Sequence, residues 1–210
     1  MYDPDEQQQL EDIRKWFARH GKWVFAAVAV ASVSLGGYFA YAHYQRGEAE
    51  KASTQYDALL KLQGDKDLKK IRLAASAIME SYPKTPYASR AALFTAKQDF
   101  ETGDLNDAKL QLRWVLDHSP EQEVKDVARL HLARVQFDEG KYQEAVSTLD
   151  VKHDDAFDGL YSDLKGDIYF TQGRKAEARS AYLVALNKID KGSTYHDLLQ
   201  IKLESAGGGK

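Results

Sequence analysis

Two hydrophobic patterns divide the chain. From Trp23 to Gln45 there is no Asp, Glu, Lys or Arg, and apolar or small residues stand on every side of a helix drawn through the run, between Lys22 and Arg46. A soluble helix would keep a polar stripe. About 20 apolar residues of helix cross a hydrocarbon layer of about 30 Å, so this run predicts a transmembrane helix over residues 23–44. Trp16, Phe17 and Trp23 precede it and Tyr38, Phe39, Tyr41 and Tyr44 close it, at the depths where aromatic rings favour the headgroup zone. Beyond residue 48 the pattern changes: apolar and Ala-rich positions recur at steps of three and four, with no strand-like alternation. That periodicity predicts an all-α domain over 45–206.

A cleaved signal peptide competes for the apolar run, because Ala40-Tyr41-Ala42 fits the small-x-small cleavage pattern. The run is longer than a signal core, however, and in the residues before it acids are at least as numerous as bases. The anchor is therefore the preferred reading. Arg14, Lys15, Arg19 and Lys22 flank the run on its N-terminal side, against Arg46 and Lys51 beyond it. Basic residues resist export, which assigns residues 1–22 to the cytoplasm and the domain to the far side. Leu10, Ile13 and Phe17, with Trp16 beside them, suggest a short helix lying on the inner face. Within the span, Ala29, Ser32, Gly36 and Ala40 fall on one face at steps of three and four, a spacing that lets helices approach closely in lipid.

The helical region contains a repeat. Ala96, Phe100, Gly103, Ala108 and Leu112 recur as Ala133, Phe137, Gly140, Ala145 and Leu149, and again as Gly166, Phe170, Gly173, Ala178 and Tyr182, with identical offsets inside each set. The glycines are 37 and 33 residues apart, close to the tetratricopeptide period of about 34 residues. Physically, the first residue lets helix A press on helix B, the glycine ends helix A in a left-handed turn, and the last fills the space between repeats. Thr85-Pro86 and Ser119-Pro120 predict helix starts, the second with Gln122 completing a capping box. An upstream pair around Gly64 and a capping helix over Tyr195–Leu203 bring the expected number of helices to about eight, followed by a flexible tail at 207–210. The fold class is thus a transmembrane helix followed by a tetratricopeptide-like right-handed stack of helical hairpins.

Composition narrows the chemistry. A net charge of −3 and a pI near 6.1 leave no electrostatic footprint for nucleic acid. There is no cysteine, no phosphate-binding glycine loop and no HExxH or GxSxG motif, so neither an enzyme nor a cofactor is expected. His153, Asp154, Asp155 and Asp158 form one metal-like cluster, but they sit between repeats, where acids are ordinarily solvated, and their spacing matches no cation loop. Binding is the remaining role. Stacked repeats line a groove with their A helices, and the register places there Arg90, Leu93, Lys97 and Phe100 from the first unit, Leu130, Arg134 and Phe137 from the second, and Asp163, Asp167 and Phe170 from the third. Such a groove would be basic at one end and acidic at the other. The repeated phenylalanines read more readily as packing between repeats.

An acidic start, the stretch Arg14-Lys15-Trp16-Phe17 ending at Gly21, one span, and degenerate repeats closing in Asp197-Leu198-Leu199-Gln200-Ile201-Lys202-Leu203 resemble the YfgM-type ancillary subunit of the SecYEG translocon. The runs Leu132-Ala133-Arg134-Val135, Leu164-Lys165-Gly166-Asp167 and Gly173-Arg174-Lys175-Ala176-Glu177-Ala178-Arg179 carry the resemblance furthest. It implies a bacterial inner-membrane protein with a periplasmic domain, partnered by SecYEG and by the membrane-anchored chaperone PpiD, that helps pass exported polypeptides to periplasmic chaperones. An alternative from another class is a membrane-tethered regulator of an envelope stress pathway acting through its cytoplasmic tail.

Overall fold

A computed structural model describes residues 4–64 and 67–208, with side chains from residue 13 to 207 outside that break. The Leu10 side chain and residues 209–210 of the expected tail therefore lie outside the described residues. Among the described residues nine α-helices follow in order: α1 Pro4–Leu60, α2 Leu68–Ser81, α3 Pro86–Glu101, α4 Leu105–His118, α5 Gln122–Asp138, α6 Tyr142–Leu149, α7 Asp158–Thr171, α8 Lys175–Lys188 and α9 Thr194–Leu203. A 3-10 turn at Asp155–Phe157 and a π-turn at Glu204–Gly208 complete the described structure, which contains no strand. The chain divides into two units between Glu48 and Ala49, and each is taken by itself.

The first unit consists of the N-terminal part of α1. Its most apolar window has a mean hydropathy of 1.7 and none of it is buried in protein. Phe25 is 80% exposed and Val33 77%. A contiguous apolar surface on all sides of a helix is untenable in water, whereas in lipid it is satisfied and the helix bonds its own backbone. Ala29, Ser32, Gly36 and Ala40 share one exposed face, and a Cβ on Gly36 would meet nothing within 4 Å.

The second unit is a stack of hairpins whose core is divided into four layers. Leu59 at the end of α1 packs with Ile71, Ala75 and Ile78 of α2 and Ala88 and Ala91 of α3. The next layer joins Ala92 and Ala96 of α3 to Leu112 and Val115 of α4 and Leu132 and Val135 of α5. A third joins Ala133 of α5 to Leu149 of α6 and Tyr161, Leu164 and Ile168 of α7. The last is closed by Leu199 of α9 over Ala178, Tyr182 and Ala185 of α8. Each layer thus bridges consecutive hairpins, so no hairpin buries its apolar face alone.

The repeated glycines make the hairpin turns. Gly103, Gly140 and Gly173 have φ of 85°, 75° and 76°. In each case the residue after the glycine donates its N–H to the carbonyl five positions back: Asp104 to Asp99 at 2.8 Å, Lys141 to Gln136 at 2.8 Å and Arg174 to Tyr169 at 2.9 Å. This is the helix-ending geometry that a left-handed residue permits.

Three local expectations need correction. Pro86 opens α3 as expected, but the Thr85 hydroxyl donates to the Tyr82 carbonyl at 2.8 Å instead of capping the helix. Ser119 ends α4 rather than starting α5: it is extended, α5 begins at Gln122, and Gln122 Nε2 donates to Asp126 Oδ1 at 2.9 Å instead of completing a capping box. At the C-terminus, Gly207 is held in the π-turn, its carbonyl accepting from Arg179 at 3.0 Å beside a buried Ala206, so the order extends past residue 206.

The third repeat explains its own departure from the pattern. Its small residue is Gly166 and its large one Tyr182, where the other units pair Ala96 with Leu112 and Ala133 with Leu149. A Cβ at Gly166 would lie 2.5 Å from Tyr182 Cδ1, inside the ring's contact distance. The smaller A-helix residue thus accommodates the larger B-helix residue, and the Tyr182 hydroxyl reaches Asp167 Oδ1 at 2.9 Å. Gly166→Ala is expected to destabilise the domain by about 1–3 kcal/mol through overpacking, measured by urea unfolding. Adding Tyr182→Leu restores the Ala–Leu pair of the other repeats, and the double variant should be about 1 kcal/mol or more better than the sum of the two single losses. Strictly additive losses would show that the two positions do not compensate.

Candidate partner-binding groove

Between the first two repeats the A helices leave a cavity of about 550 Å³. Its α3 wall is formed by Arg90, Leu93, Lys97 and Phe100, positions three and four apart that a helix brings onto one face. The α5 wall is His131, Arg134 and Val135, and Tyr56 closes one side from the end of α1. Phe94, Ala96 and Leu112 complete the apolar floor. The volume lies within the range of about 300–1,000 Å³ typical of binding sites.

Five of the ten groove residues expected from the sequence meet here: Arg90, Leu93, Lys97, Phe100 and Arg134. Leu130 and Phe137 do not. They pack with Ala133 against α6 and α7, Phe137 lying 5.9 Å from the Tyr142 ring. The reason is that α5 is sandwiched: Ala128, Leu132 and Val135 face α3 and α4, while Leu130, Ala133 and Phe137 face the following hairpin. His131 and Val135 supply the groove wall instead. The signal for His131 was present, since it lies three residues before Arg134 and therefore on the same face. Tyr56 could not be found this way, because it precedes the recognisable repeats.

The acidic end of the groove is neutralised. Lys202 of α9 reaches Asp163 Oδ1 at 2.7 Å and Asp167 Oδ2 at 3.0 Å, and the Tyr195 hydroxyl donates to Asp163 Oδ2 at 2.6 Å. Asp163 is only 2% exposed. Burial followed by the neighbouring carboxylate pushes the Tyr195 and Tyr182 hydroxyls far up from their ordinary pKa, keeping both as neutral donors. These acids dock the capping helix, and Phe170 stands partly exposed apart from the cavity. What remains open is the basic half.

The cations of that half are loosely held. Arg90 lies 3.6 Å from Glu121, Lys97 3.7 Å from Glu101 and Arg134 3.7 Å from Asp167, each cation well exposed. Structural pairs elsewhere are shorter: Arg72 meets buried Asp99 at 2.7 Å and Asp107 at 2.9 Å. His131 faces the groove solvent yet is crowded by protein. That crowding, then Arg134 and Lys97, holds its pKa below the usual histidine value.

A family model for a tetratricopeptide repeat-like domain matches residues 14–208. An ancillary SecYEG translocon subunit of Neisseria gonorrhoeae is 31% identical over 96% of this chain and 97% of its own length. This chain belongs to the ancillary SecYEG translocon subunit family. Further ancillary SecYEG translocon subunits, from Haemophilus influenzae and Escherichia coli, are 30% and 27% identical over 86% and 96% of this chain and 88% and 96% of theirs. No solved structure matches. Each of these relatives is named as an ancillary subunit of a translocon.

In this family member the His153 loop is a structural joint. His153 Nδ1 lies 2.7 Å from the Val151 carbonyl and Nε2 3.0 Å from Asp158, and the ring packs on Tyr161 at 4.2 Å. Asp154 caps the short 3-10 turn through the Ala156 N–H. Among the described residues no group of three His, Cys, Asp or Glu could hold a metal ion.

The depressed pKa of His131 sets a pH dependence. Unfolding restores the ordinary value near 6.5, so the unfolded chain binds the proton more readily. Stability from this group is complete above about pH 6.5 and is lost as pH falls through the folded-state value. His131→Gln should flatten the decline in Tm between about pH 6.5 and 5, a window above that in which most carboxylates titrate. Parallel Tm profiles for parent and variant would remove His131 from the account.

Proposed function

We propose that the chain is a single-pass inner-membrane protein and an ancillary subunit of the SecYEG translocon. In this reading residues 1–22 lie in the cytoplasm, 23–44 span the membrane, and 45–206 form a periplasmic domain that contacts exported polypeptides and helps pass them to periplasmic chaperones, a PpiD-like membrane-anchored chaperone among its partners. The observation that carries it is the end-to-end likeness to subunits so named, which extends over nearly the whole chain. The excess of Arg14, Lys15, Arg19 and Lys22 on the N-terminal side supports the orientation. The small face of Ala29, Ser32, Gly36 and Ala40 is the part of the span that a neighbouring membrane helix could approach most closely. Anchoring beside a channel raises effective concentration, which lets weak contacts suffice.

The absence of native cysteine makes the topology directly measurable. In intact cells with a permeabilised outer membrane, a membrane-impermeant maleimide should label Gln200→Cys and leave Gln8→Cys unlabelled until the inner membrane is opened. The reverse pattern would invert the assignment. Full-length chain purified from gently solubilised membranes should bring SecYEG subunits with it, and removal of residues 1–12 should leave that association intact. If the association were lost with those residues, the tail would be the working part, as a tethered regulator requires.

A further inference from the structure

The groove between α3 and α5 has two properties that together specify an occupant. Its floor is apolar and includes Leu93, Phe94, Phe100, Leu112 and Val135, with Tyr56 at the side. Its rim carries cations on both walls, Arg90 and Lys97 on α3 and Arg134 on α5, with one carboxylate, Glu101, loosely paired to Lys97. We propose that this groove binds polypeptide segments in which large apolar side chains alternate with Asp or Glu, the apolar groups entering the cavity and the carboxylates pairing with Arg90, Lys97 and Arg134. The proposal rests on the reading of the domain as a contact site for exported chains and names the sequence chemistry that it selects.

Charge complementarity is the first argument. The three rim cations lie 3.6–3.7 Å from their present partners, with side chains 43% to 65% exposed. Exposed pairs of this kind contribute about 0–1 kcal/mol, so exchanging Glu101 or Glu121 for an incoming carboxylate sacrifices little. The buried cation sites are the opposite: Lys202 and Arg72 hold carboxylates at 2.7 Å that are 3% and 0% exposed. The shortest contacts to buried carboxylates thus join neighbouring helices, whereas the cations around the cavity are loosely paired. Solvent-accessible charge on an apolar cleft also steers encounter with a partner of opposite sign.

The distribution of charge favours a polymer over a single-headgroup amphiphile. Arg90 and Lys97 are seven residues apart on α3, about 10 Å at a rise of 1.5 Å per residue, and Arg134 stands on the facing helix. One carboxylate cannot satisfy cations so dispersed, whereas a peptide carrying several can. The cavity of about 550 Å³ has room for more than one large side chain.

The test uses the full chain in lipid nanodiscs and fluorescent peptides of equal length. One alternates Leu and Phe with Asp, a second replaces Asp by Lys, and a third replaces Leu and Phe by Ser. The first should bind about tenfold or more tightly than either other, and added salt should weaken it. Lys97→Glu with Arg134→Glu should remove that preference and favour the Lys peptide, and Lys97→Gln with Arg134→Gln should weaken acidic-peptide binding even if the reversed variant folds poorly. Equal binding of the Asp and Lys peptides, or unchanged affinity in the Gln variant, would overturn the proposal. So would binding of oleate at the cavity with no binding of any of the three peptides, since the site would then be lipid-selective. Co-purification of SecYEG with the same variants separates the two levels: retained association with no peptide preference sinks the groove inference alone, and lost association of the parent chain sinks the translocon reading itself.

Discussion

The architecture of the domain depends on one steric constraint, the close approach of the two helices in each hairpin. Tetratricopeptide-like hairpins close because a small residue on helix A faces the space occupied by a large residue on helix B. Ala96 and Leu112 share one core layer, and Ala133 and Leu149 the next. In the third hairpin the combined volume is redistributed to Gly166 and Tyr182. Close packing tolerates such exchange when total volume is kept and penalises it when one partner changes alone. The exchange also introduces a hydroxyl, which is satisfied by Asp167 and joins a network with Lys202, Asp163 and Tyr195. The last repeat therefore gains the polar contacts that fasten the capping helix.

Three buried aspartates show how a thin, layered core is held in register. Asp99 links α3 to Arg72 of α2, and Asp163 links α7 to Lys202 and Tyr195 of α9. Asp126 accepts from Arg129 at 2.7 Å and from the Asp154 N–H at 3.0 Å, joining α5 to the loop before α7. A buried carboxylate is costly unless paired and hydrogen-bonded. Each of these is, although burial still raises the pKa of Asp99 in spite of Arg72. Apolar layers alone are tolerant of sliding, because hydrophobic contact has no direction. The aspartates accept only from donors in one place, which fixes the rotation of each helix against its neighbour.

Much of this was legible in the residues. The charge-free run, the three and four spacing and the glycine register depend on local chain geometry, and the structure reproduces the glycine turns with positive φ at all three positions. Helix rotation was less legible. Repeat register assigns Leu130 to the groove, yet α5 has apolar neighbours on two sides, so an apolar residue at a given repeat position can face either; Phe137 packs between repeats, as the recurrence of phenylalanine suggested. The acidic groove end failed for a related reason: Asp163 and Asp167 find their partner in Lys202, more than thirty residues away in a helix with no repeat signature. Ser119 and Pro120 mimic a helix start because a capping hydroxyl and a helix-ending extended residue use the same residue types.

The distribution of tight and loose ion pairs connects this architecture to its use. A module built to hold a rigid partner would pre-organise its rim, since immobilised side chains reduce the entropy lost on binding. Here the rim cations are long, exposed and loosely paired, while the short contacts to buried carboxylates lie elsewhere in the stack. Such a surface can exchange partners with little free-energy change and will accept varied sequences that satisfy a broad chemical rule. Its individual contacts are correspondingly weak. An apolar helix joined to the same chain changes the consequence of weakness, because confinement to the membrane plane supplies the concentration that affinity does not. In the proposed function the apolar span and the loosely charged groove therefore act together, confinement at the membrane compensating for weak individual contacts.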